Sequence, residues 1–234
     1  NALLGQGVRL EYLGAIHCSH CGRKTKKSFS QGYCYPCFSK LAQCDTCIMS
    51  PERCHYAAGT CREPAWGEQF CMTDHVVYLA NSSGAKVGIT RATQVPTRWI
   101  DQGAIEAVPI VEVPNRYLAG ITEVALKDHY SDKTNWRKML QNEIPAMDII
   151  SERNKLEPLL PDEVKEYFHT TPEKMYHLEY PVLQYPKKVN SLSLDKTPVF
   201  NGKLAGIKGQ YLLFEDGTVF NIRTFEGYVV KITL

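Results

Sequence analysis

Cys18-Ser19-His20-Cys21 and Cys34-Tyr35-Pro36-Cys37 decide how the first part of this chain folds. Each pair sets two thiols on one tight turn. The twelve residues between the pairs suffice for a hairpin that brings four sulfurs to one point. A tetrahedral zinc ion, with Zn–S bonds of about 2.3 Å, takes its ligands from two such knuckles. Gly22 follows the first knuckle and Gln31-Gly32 precedes the second, as tight turns require. Two disulfides are the competing reading, but cysteines this close inside knuckles make poor cross-links. The sequence therefore predicts one Zn²⁺ on Cys18, Cys21, Cys34 and Cys37.

All nine cysteines fall between Cys18 and Cys71. Cys44-x2-Cys47 forms a third pair; Cys54, Cys61 and Cys71 follow, with His55 and His75 close by. The expectation is a second zinc on Cys44 and Cys47, completed by two of Cys54, Cys61 and Cys71, with one thiol spare. Buried free thiols are the alternative. A nucleophilic cysteine is disfavoured, because nothing sets one thiol apart from the rest. Thiols that hold metal instead of pairing belong to a reducing compartment, so a cytoplasmic location is expected.

The chain has 234 residues, 44% hydrophobic and 22% charged, an ordinary globular composition with room for two or three domains. No apolar run approaches the ~18 residues of a membrane span, and no membrane partner is expected. The formal charge is +2. Two tetrathiolate zinc sites would each add two negative charges and bring it to about −2. Global charge thus gives no argument for nucleic acid, and any such argument must come from local patches.

Along the chain the pattern reads as α+β in three regions. A zinc-ribbon or treble-clef-like head occupies 1–75, turn-rich and poor in apolar periodicity. An α/β domain with a small mixed sheet occupies 76–170. It opens with His75–Ala80 and Lys86–Thr90, two β-prone runs around Asn81-Ser82-Ser83-Gly84 that predict a hairpin. A strand over 105–113 and helices over 117–129, 135–141, 148–156 and 162–169 follow. The region 171–234 carries short runs separated by Gly turns, which predict a small β-sheet or barrel.

Val76-Val77-Tyr78, Lys86-Val87-Gly88-Ile89-Thr90, Arg98 and Glu123 together resemble the GIY-YIG nuclease domain. Pro96 to Gly103 and Asn135-Trp136-Arg137 extend the likeness to a group of uncharacterised bacterial proteins, in which a cysteine-rich head precedes a GIY-YIG-type domain. That resemblance implies one divalent ion, Mg²⁺, on Glu123, with Tyr78 as general base and Arg98 at the scissile phosphate. Asn135 is similar in place to the family's late asparagine. Lys86 stands where the family has its second tyrosine, and a lysine binds phosphate better than it serves as a base. Period-two alternation puts Val76 and Tyr78 on one face, toward a groove shared by Lys86, Arg98 and Glu123, and Val77 and Leu79 on the core face.

Arg23-Lys24-Thr25-Lys26-Lys27 lies between the knuckles, with Phe29 and Tyr33 beyond it. Arg23, Lys24, Lys26 and Lys27 would track a phosphate backbone from a zinc-held hairpin. Lys133, Arg137 and Lys138 make a second basic spot. The leading expectation is a zinc-stabilised protein that binds DNA or RNA, with a divalent-metal-dependent endonuclease activity. A non-catalytic module for RNA or a ribonucleoprotein, and a protein-interaction scaffold, are the alternatives.

Overall fold

The computed structural model describes residues 2–130 and 134–234; Lys133 of the second basic spot lies outside them. Its strands, in chain order, are β1 (Gly7–His17), β2 (Lys24–Thr25), β3 (His75–Asn81), β4 (Ala85–Arg91), β5 (Glu106–Val113), β6 (Tyr176–His177), β7 (Asn190–Ser191), β8 (Val199–Lys208), β9 (Tyr211–Phe214), β10 (Thr218–Asn221) and β11 (Tyr228–Thr233). They form two sheets in two compact units.

The first unit joins Asn1–Cys44 and Leu140–Asn142 to Tyr180–Leu234. The three consecutive regions expected from the sequence do not hold here, and β1 is the reason. This strand pairs antiparallel with β11 on one side and β8 on the other, so the head completes the sheet of the tail. Its residues alternate. Val8 and Leu10 enter a core with Leu194, Leu204, Phe214 and Phe220, while Arg9 and Glu11 face outward and pair at 3.3 Å. The sheet runs β11-β1-β8-β9-β10-β7, with β2 added to β1. It is an open sheet with two free ends and not a closed barrel.

The second unit comprises Asp45–Met139 and Glu143–Glu179. Its sheet, β4-β3-β5-β6, is antiparallel throughout instead of mixed. The predicted hairpin is β3–β4. Gly84 takes φ +133° in its turn, and its N–H donates to Asn81 Oδ1 at 3.3 Å. Every residue of the central strand β3 is buried. Val77 and Leu79 pack on one face with Ala119 and Leu126 of the Arg116–Leu126 helix. Asn115 caps that helix, its Oδ1 accepting from Leu118 N at 2.9 Å. On the other face Val76, Tyr78 and Ala80 pack with Trp99. Strand and helix therefore share the first core, and the Thr97–Asp101 helix closes the second. The predicted 162–169 helix is a 3₁₀ turn at Asp162–Val164 followed by a helix at Lys165–Thr170.

Candidate functional site

In the first unit the four predicted knuckle cysteines converge. Their sulfurs all lie within 4.8 Å of one another, and Cys21 and Cys34 Sγ are 3.8 Å apart. A tetrahedron with Zn–S bonds of about 2.3 Å has S···S edges of about 3.8 Å, so the quartet could hold a zinc ion. The first knuckle closes through Gly22 N–H donating to Cys18 O at 2.8 Å, with Gly22 at φ +70°. The second opens the Tyr35–Lys40 helix. Burial acts to raise the Cys18 thiol, but hydrogen bonds from the backbone of Cys21, Cys34 and His20 outweigh it and bring the thiol down to about 6. Burial, and then the neighbouring thiols, push Cys37 up to about 12. A shared cation resolves that conflict, because it lets all four ionise together.

Arg23, Lys24, Lys26 and Lys27 are all exposed beside this quartet. Lys24 and Thr25 form β2 against β1, and Lys27 Nζ lies 5.3 Å from the centre of the Phe29 ring. Phe29 in turn meets the edge of Tyr35, which is 61% exposed. Cations and an accessible aromatic ring thus share one surface.

In the second unit an open cavity of about 430 Å³ lies along β4. Lys86 and Gly88 form its floor, Arg98 and Gln102 enter from the Thr97–Asp101 side, and Arg116 and Glu123 enter from the long helix. Lys127 and Glu52 also reach it, so four cationic side chains face two carboxylates. Gly120 lets the helix approach the Pro51–Arg53 turn that forms one wall: a Cβ there would sit 2.6 Å from Pro51 C. Lys86, Arg98 and Glu123 therefore line one cavity.

Tyr78 does not share that open surface, and its predicted place in the groove needs correction. Its side chain is fully buried under Trp99, with ring centroids 5.6 Å apart. Its hydroxyl donates to Gln102 Oε1 at 2.9 Å. In the sheet register Tyr78 lies opposite Gly88, and a Cβ on Gly88 would sit 2.7 Å from the Tyr78 hydroxyl. The tyrosine occupies the space that glycine leaves. Burial pushes its pKa up to about 12, with Arg98 and Gln102 acting in the opposite direction. That shift favours the phenol that donates to Gln102. Asn135, the other motif residue, donates its N–H to Ser83 Oγ at 2.9 Å and caps the next helix through Lys138 N.

The matching family is described as "Protein of unknown function (DUF2797)", and its model covers residues 5–230. The chain belongs to this family. No curated protein and no solved structure matches it. A match across residues 5–230 takes in both units of this DUF2797 chain, so cysteine quartet and basic cavity fall within one family pattern.

The remaining cysteines of this DUF2797 protein divide between the units. Cys44 belongs to the first, where its charge acts on the Tyr33 hydroxyl. Cys47, Cys54, Cys61 and Cys71 belong to the second. A further group of donors, Asp45, Cys47 and His55, also comes within 4.8 Å. Two cavity residues carried no signal in the sequence. Arg116 is a single cation at a helix start, and Gln102 a single amide at a helix end. Only the fold brings them to Glu123 and Tyr78.

Proposed function

We propose that the protein binds nucleic acid through its phosphates, with the second unit acting as a GIY-YIG-like domain and a zinc-held basic hairpin in the first unit adding contacts. The observation that carries this reading is the cavity in which Lys86, Arg98, Arg116 and Lys127 surround Glu123. A guanidinium pair and two ammonium groups in one cleft suit a phosphodiester, whose oxygens accept forked hydrogen bonds from arginine. Glu123 suits a hard divalent ion that keeps most of its water, and Mg²⁺ bound there would supply Lewis-acid stabilisation of a phosphoryl oxygen. Arg98 orients the phosphate, and Tyr78 holds Gln102 in place from beneath. In the first unit, Zn²⁺ on Cys18, Cys21, Cys34 and Cys37 fixes the loop that presents Arg23, Lys24, Lys26 and Lys27. Nine cysteines that are all thiols agree with a cytoplasmic setting.

A second reading, a non-catalytic binding module, has a specific observation in its favour. Tyr78 stays protonated, and Lys86 is largely buried where the GIY-YIG family has its other tyrosine. One assay separates the two. Labelled DNA and RNA are incubated with the protein, with Mg²⁺ or with chelator, using wild type and Glu123→Ala. Mg²⁺-dependent cleavage that is lost in Glu123→Ala establishes the nuclease. Binding without cleavage, retained in Glu123→Ala, establishes the module, and absence of both refutes the proposal. No helix among the described residues is long and apolar enough to cross a membrane.

A further inference from the structure

Asp45, Cys47 and His55 converge at the start of the second unit, with their ligand atoms within 4.8 Å of one another. Asp45 and Cys47 are buried and His55 is half-buried. Cys44, paired with Cys47 by spacing, is not in this set. The segment that carries the three has little apolar support. Among the described residues, none from 45–71 enters any of the three hydrophobic clusters. Segments of that kind hold their shape through metal.

The hydrogen bonds of His55 fix which ring nitrogen carries the proton. Thr60 Oγ1 donates to His55 O at 3.3 Å, which uses its one proton. The 2.8 Å contact between Thr60 Oγ1 and His55 Nδ1 therefore runs the other way, with Nδ1–H donating. In a neutral ring Nε2 then presents a bare lone pair. That lone pair stands 3.4 Å from Asp45 Oδ2. Two acceptors face each other across a gap, and only a cation between them satisfies both. A ring held at one nitrogen by a neighbouring oxygen, with the other nitrogen bare, is the arrangement of a metal-ligating histidine.

The spacing fits an ion better than a proton. Zn–N and Zn–O bonds of about 2.0–2.1 Å give a tetrahedron an N···O edge of about 3.3 Å. A hydrogen bond between imidazolium and carboxylate closes to about 2.7–2.9 Å, shorter than the gap seen here, and leaves Cys47 without a role. Arg62 is no obstacle. Its Nε donates to Asp45 Oδ2 at 2.8 Å, while Thr46 N donates to Oδ1 at 2.6 Å. Oδ2 keeps a second lone pair for the ion, and ligating carboxylates are hydrogen-bonded in just this way.

We propose that Asp45, Cys47 and His55 hold a second zinc ion, through Oδ2, Sγ and Nε2. One thiolate, one imidazole and one carboxylate suit this borderline-soft metal. Cys47 releases its proton to solvent as its sulfur binds. Among the described residues, no further Cys, His, Asp or Glu comes within the same distance of all three, so water takes the fourth position. Cys54, Cys61 and Cys71 lie outside the ligand set. The inference depends neither on the ligand of the cavity nor on the zinc of the first unit.

The test uses the full chain. Elemental analysis should find one zinc ion fewer per chain in His55→Ala than in wild type, and no loss in Cys54→Ser or Cys61→Ser. X-ray absorption at the zinc edge of wild type covers the case in which His55→Ala fails to fold. It should show nitrogen or oxygen neighbours at about 2.0–2.1 Å beside sulfur at about 2.3 Å. Equal zinc in wild type and His55→Ala, loss of an ion in Cys54→Ser or Cys61→Ser, or a shell of sulfur alone would overturn the site.

Discussion

Gly88→Ala probes the packing on which the cavity floor rests. At an open strand position this change stabilises a protein by about 0.4–1 kcal/mol, because it restricts the unfolded chain. Here the added methyl meets the Tyr78 hydroxyl at 2.7 Å and its ring carbon Cζ at 2.8 Å. The tyrosine cannot retreat, since Trp99 packs on it and Gln102 holds its hydroxyl. Overpacking of this kind costs about 1–3 kcal/mol, and displacement of the buried hydroxyl from its acceptor adds about 1 kcal/mol. The balance is a net loss of about 1–3 kcal/mol. All three tryptophans, Trp66, Trp99 and Trp136, belong to the second unit, so urea unfolding followed by tryptophan fluorescence reports on that unit alone. With a urea slope of about 2 kcal/mol/M, the midpoint should fall by roughly 0.5–1.5 M. Tyr78→Phe in the same background removes the closest contact and should recover part of the loss. A Gly88→Ala protein as stable as wild type, or more stable, would refute the close fit of Tyr78 on Gly88.

Three further outcomes follow from the same structure. Cys18→Ser should lose a zinc ion and raise proteolytic cleavage within residues 18–40, read by mass spectrometry, because the knuckles depend on the ion for order. Gly120→Ala should separate the Arg116–Leu126 helix from the Pro51–Arg53 turn and destabilise the second unit by about 1–3 kcal/mol, measured by the same fluorescence assay. Lys208 is fully buried, with Nζ donating to Asn142 Oδ1 at 2.8 Å and lying 5.0 Å from the Tyr185 ring centre. Burial lowers its pKa from 10.5 to about 8. Between those values the unfolded chain binds more protons than the folded one, so this group makes stability rise with pH from about 8 to 10. Lys208→Met should lack that rise, as checked by denaturant titrations at pH 7, 8.5 and 10.

The parts of this protein that the sequence discloses are those fixed by local chemistry. Cys18, Cys21, Cys34 and Cys37 are readable because each knuckle sets its own geometry and the linker is short. The β3–β4 hairpin is readable because alternation and an Asn-Ser-Ser-Gly turn act over a few residues. Strand β1 escaped, although Val8 and Leu10 alternate with Arg9 and Glu11. Its partners β8 and β11 lie roughly 190 and 220 residues away, and a cysteine-rich neighbourhood masks so short a pattern. Cys44 and Cys47 read as a pair from their Cys-x2-Cys spacing, and they fall in different compact units. Tyr78 was placed on the right face of its strand. That face is a second core, a fact that becomes visible only when Trp99 closes over it. Arg116 and Gln102 belong to no motif, and distant packing alone brings them into the cavity.

The most direct test of phosphate recognition in the cavity is a salt titration of nucleic-acid binding, followed by fluorescence anisotropy, with wild type and Arg98→Ala side by side. Lost phosphate contacts lower affinity across sequences and reduce the slope of log K against log salt by about one. The account predicts salt-sensitive binding by wild type, a shallower slope and roughly ten-fold weaker binding for Arg98→Ala, and unchanged zinc content in both. Equal affinity and equal slope for the two proteins, or no binding by wild type at low salt, would contradict it.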